Sequence, residues 1–140
     1  MDEILIILRV LIKDTSGSIY SDSSLIKLAL VSAMIVQQEL TFTESYVINI
    51  SNETITPEPS INSFKLFTAH KAAILLLESE LKGYSSQAIK IVDGPSTIDL
   101  SNRSKDSSQL LKSLYDNYAL MKRDYLLNSE SSFGYAVITP

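Results

Sequence analysis

His70 is the only histidine, so any Ser-His-Asp relay or imidazole base would have to be built on it. It falls in a stretch with helical spacing, next to Lys71, and no nucleophile is paired with it by spacing. The plainer reading is a residue on the flank of an amphipathic helix. Asp93 and Asp99 are the one carboxylate pair whose spacing suits acid–base or metal chemistry. They flank Gly94-Pro95, where an Asp more commonly bonds local backbone in a turn. The chain has no cysteine, which removes thiol nucleophiles, thiolate metal sites and disulfides together. With one histidine besides, it cannot supply the usual three or four zinc ligands. The glycines stand apart at 17, 83, 94 and 134, and no glycine-rich phosphate cradle or nucleophile elbow occurs. The last candidates are Tyr115, Tyr118 and Tyr125, which fall on one helical face. Aromatic faces stack single-stranded bases when a basic groove lies beside them. The basic groups here are only Arg103 with Lys105 and Lys122 with Arg123, so core or subunit packing is favoured. No catalytic, cofactor-binding or metal-binding residue is assigned, and a non-enzymatic protein is expected.

The bulk numbers point the same way. At 140 residues the chain is about one domain, and it can bury a core without covalent staples. Its net charge of −4 argues against gripping nucleic acid, which needs clustered cations to displace counterions. The apolar run Ile4-Leu5-Ile6-Ile7-Leu8 follows Asp2 and Glu3, the wrong sign for a signal peptide. The run ends at Lys13-Asp14, well short of a bilayer span. A soluble protein with no membrane partner is expected. The sequons at Asn49, Asn52 and Asn102 read as chance in a chain rich in Ser and Thr.

The elements follow from hydrophobic spacing. Residues 2–13 predict a short N-terminal helix, apolar nearly all round, which suits a buried or partner-covered position. A second helix is expected over about 22–40, capped by Ser21 or Asp22. Tyr46, Ile48 and Ile50 alternate as in a strand, before Pro57 and Pro59 interrupt regular structure, which suits one arm of a hairpin or a projecting loop. A third helix should start at Ser60 or Asn62 and stop at Gly83, with Phe64, Phe67, Ile74, Leu77 and Leu81 on one side. Lys71, Glu78 and Lys82 mark its wet face, and Glu80 reads as solvated charge too. Ile89 and Ile91, then Ile98 and Leu100, suggest two short strands around Asp93-Gly94-Pro95-Ser96. A fourth helix is expected over about 106–128, followed by an apolar extended tail at 132–140. The expected class is mainly α with a small β element (α+β): a four-helix bundle-like domain over 1–140, with a β-hairpin and an extended C-terminal strand.

Tyr20-Ser21-Asp22-Ser23-Ser24-Leu25, Leu81-Lys82-Gly83, Asp93-Gly94-Pro95-Ser96-Thr97-Ile98-Asp99 and Gly134-Tyr135-Ala136-Val137-Ile138-Thr139-Pro140 together resemble the head–tail connector, or head completion, adaptors of tailed bacteriophages. The resemblance covers about residues 20–140, and the N-terminal helix lies outside it. It implies a virion protein at the head–tail junction, assembled in the host cell cytoplasm. Copies would form a homo-oligomeric, dodecameric ring that binds the portal protein and neck or tail proteins. DNA would pass through the channel without specific binding, and no catalytic residue carries over. Independently, both termini are apolar, and surplus apolar surface marks contact sites. A ring joined head to tail needs two different surfaces on each copy. Ile4, Leu8 and Leu11 are the expected residues of one, and Phe133, Tyr135, Val137 and Ile138 of the other. The competing readings are another neck or tail completion protein, and a small intracellular regulator that binds proteins.

Overall fold

A computed structural model describes the backbone of residues 1–90 and 96–138, and the side chains of residues 1–83 and 105–129. Four helices and a two-stranded sheet follow in the order α1 (Asp2–Leu11), α2 (Asp22–Glu39), β1 (Val47–Asn49), β2 (Thr54–Thr56), α3 (Asn62–Lys90) and α4 (Ser96–Ile138). The protein is thus mainly α with a small β element, as its periodicity predicts.

α3 is the central helix, against which α1, α2 and α4 all pack. Its sequence explains this: Phe64, Phe67, Ile74 and Leu77 are buried, and so are the small residues Ala69, Ala72 and Ala73. Bulky residues fill the space between helices, and the alanines let a second neighbour approach closely. α2 contributes Leu25, Ala29, Leu30, Ala33 and Val36, and α1 contributes Ile4, Leu8 and Ile12. α4 offers one stripe, Leu111, Leu114, Tyr118, Met121 and Tyr125, with Leu114 and Tyr118 buried and the others packed at the edge of the core.

The helix ends carry sequence-coded stops. Ser21 caps α2, its hydroxyl accepting from the Ser24 amide at 3.3 Å. α1 ends in a six-residue Schellman turn: the Asp14 amide donates to the Arg9 carbonyl at 2.9 Å and the Lys13 amide to Val10 at 3.2 Å. Lys13 takes the left-handed conformation that glycine more often fills there (φ 60°).

The hairpin β1–β2 is antiparallel, with Ile48 opposite Ile55, and Ile55 turns into the core. The Asn49 side chain accepts the Asn52 amide at 3.0 Å and so fixes the turn. Gln37 of α2 holds the strand entry through both ends of its amide, donating to the Tyr46 carbonyl at 3.1 Å and accepting the Tyr46 amide at 2.9 Å.

Three expectations are corrected. Gly83 does not end α3, which continues to Lys90. Ile89 belongs to α3, while Ile98 and Leu100 belong to α4, so they form no strand pair; residues 91–95 lie outside the described ones. A three-residue alternation fits helix and strand alike, and Asp, Pro and Ser suit a helix start as well as a turn. The C-terminal segment is helical through Ile138 rather than extended. Its apolar residues had suggested a strand, but the helix propagates across Gly134 into them. The hairpin lies only at 47–56 among the described residues.

Candidate functional site

α1 has two apolar faces, and the fold uses one. Ile4 and Leu8, expected at a subunit contact, are buried in the chain's own core. They sit four residues apart on the stripe that meets α3 and α2, so their side chains are spent on folding. Leu11 is partly buried against the same core. The opposite face carries Ile6, 63 % exposed, and Val10, 59 % exposed, one helical turn apart. Across from Ile6 stands Leu66 of α3, and between them lies an open groove of about 390 Å³. Ile6, Ile7 and Leu66 form its apolar floor, with Glu3, Asn62 and Lys65 around the rim. Lys65 donates to Glu3 across the groove, and that hydrogen bond holds the Glu3 carboxyl below its usual range. The second expected surface, Phe133, Tyr135, Val137 and Ile138, lies on α4 where side chains are outside the described ones.

Two polar centres, one buried and one partly buried, flank this apolar architecture. At the α1–α2 loop, the Asp14 carboxylate is 1 % exposed. It accepts the Arg9 guanidinium at 2.8 Å, the Ile19 amide at 3.2 Å and the Tyr20 amide at 3.1 Å. Burial alone would raise its pKa, but these donors outweigh burial and hold it below the ordinary value. Arg9 also donates to the Tyr20 carbonyl at 3.2 Å and to Asp22. Gly17 completes the loop with φ 70°, and a Cβ there would meet the guanidinium at 3.5 Å. The Tyr20 hydroxyl then donates to Glu80 of α3, so Glu80 is a fastening rather than solvated charge.

The other centre joins three helices. Glu39 at the end of α2 receives Lys71 of α3 at 2.9 Å and the hydroxyl of Tyr118 of α4. The Lys71 ammonium also lies 4.6 Å from the centre of the Tyr118 ring. Burial opposes charge on Glu39, yet the two donors keep its pKa lowered. Burial first, and Glu39 second, push the Tyr118 hydroxyl well up. Lys71 therefore does not lie on a wet face, as its charge suggested.

Each carboxylate is already occupied by donors from its own chain. Beside the first centre an open cavity of about 340 Å³ is lined by Arg9, Gly17, Tyr20 and Asp22. His70 is largely buried, with Nδ1–H donating to the Leu66 carbonyl at 2.8 Å, one helical turn back. The Asp93 and Asp99 side chains lie outside the described residues. Among the described residues there is no group of three or more acidic or histidine side chains placed to hold a metal. The tyrosine face is divided. Tyr118 and Tyr125 each meet Phe67 edge to face at 5.6 Å, and Tyr125 donates to the Thr41 carbonyl at 2.6 Å. Tyr115 alone of the three is open to solvent. Among the described residues no helix is long and apolar enough to cross a membrane.

No protein-family model, curated protein or solved structure matches the chain.

Proposed function

We propose that the protein works by binding other proteins, as a structural adaptor of the head–tail connector type rather than as an enzyme. In this reading copies form a ring between the portal and the neck or tail, and extend the channel through which DNA passes. One observation carries it: the apolar groove of Ile6, Ile7 and Leu66, continued by the exposed Val10, on a helix whose other face already anchors it to the core. Leaving such side chains in water forgoes about 1.5–3 kcal/mol each relative to full burial, so a covering surface binds there favourably. The occupant is the neighbouring copy in the ring, because a head-to-tail ring must cover one surface of each copy with a different surface of the next. The net charge of −4 suits a channel wall that does not hold DNA.

Electron microscopy of particles from the source tests the reading. The expected result is this chain as a ring between portal and tail, with Ile6 and Val10 covered by the adjacent copy. Absence of the chain from the particle, with the protein found free in the cell, sinks it.

A further inference from the structure

We draw no further inference here: the strongest candidate, the open cavity between the end of α1 and the start of α2, carries nothing, because its one guanidinium, Arg9, is already paired with Asp14 and Asp22 and nothing else among the described residues at that helix start points to a ligand.

Discussion

The buried carboxylate Asp14 and the partly buried carboxylate Glu39 are held by different kinds of donor. Asp14 draws its partners from residues 9–20 of its own neighbourhood, and two of them are backbone amides. Glu39 draws both of its donors from distant helices, Lys71 of α3 and Tyr118 of α4. The first arrangement shapes a loop. Once α1 ends in its left-handed turn, the Asp14 carboxylate gathers the returning loop and sets the entry into α2. The second arrangement fastens elements that sequence does not connect closely. It sits on the seam where α4 docks, beside the contact of Phe67 with Tyr118 and Tyr125. α1 is therefore held by packing, a local knot and the Glu3–Lys65 pair, whereas α4 is held by one apolar stripe and the long-range bonds of Tyr118 and Tyr125.

Core truncations on the two sides should separate the regions most clearly. Leu8→Ala and Leu114→Ala each remove a buried side chain and should each cost about 2–5 kcal/mol in urea unfolding. Their local consequences should differ. Leu114→Ala should raise amide hydrogen exchange along α4 residues 110–125 before α1 and α2 lose protection, because one stripe holds α4. Leu8→Ala should lower protection across α1, α2 and α3 together, since α1 contacts both other helices. Equal loss everywhere in both variants would make the molecule one cooperative unit and remove the distinction.

The tie itself is the next test. Tyr118→Phe keeps the ring packed on Phe67 but removes the hydroxyl from Glu39. A hydrogen bond to a charged, partly buried group should cost about 1–2 kcal/mol when lost. Its effect should be confined to α4 exchange. A change in the α1–α2 loop on the same substitution would show that the two polar centres communicate.

What the sequence discloses follows this division between local and distant. The Ser21 cap, the spacing of Phe64, Phe67, Ile74 and Leu77, and the alternation at Tyr46, Ile48 and Ile50 all encode structure in a short window. They mark α2, the core face of α3 and the first strand of the hairpin. Lys71 and Glu80 read as surface charge because nothing within one helical turn shows what will cross them. α1 reads as apolar all round; only its docking on α3 decides that Ile4 and Leu8 go in while Ile6 and Val10 stay out. Ile89 and Ile98 were misleading for a related reason: alternation over so few residues carries no preference between helix and strand. Asp14 was the least legible, since its role depends on a loop that folds back on it.

Acid unfolding gives the smallest and most discriminating effect. Asp14 and Glu39 both ionise below their usual values of 3.8 and 4.5 in the folded chain. In that window the unfolded chain binds more protons than the folded one, so stability rises with pH. The stabilisation is present above the usual carboxylate values and is lost as pH falls through the lowered folded ones. The urea midpoint should therefore decline as pH drops from about 5 to about 3. Asp14→Asn should flatten part of that decline, and Glu39→Gln another part, each acting on its own centre. The alkaline limb separates the two further. Tyr118 is raised in the folded chain, so its contribution is present below its usual value of 10.0 and lost as pH rises above it. Glu39→Gln should weaken that alkaline loss, because the carboxylate is one cause of the raised value, while Asp14→Asn should leave it unchanged. An alkaline limb altered equally by both substitutions would mean that the loop knot and the helix tie form a single electrostatic unit, despite drawing their donors from different parts of the chain.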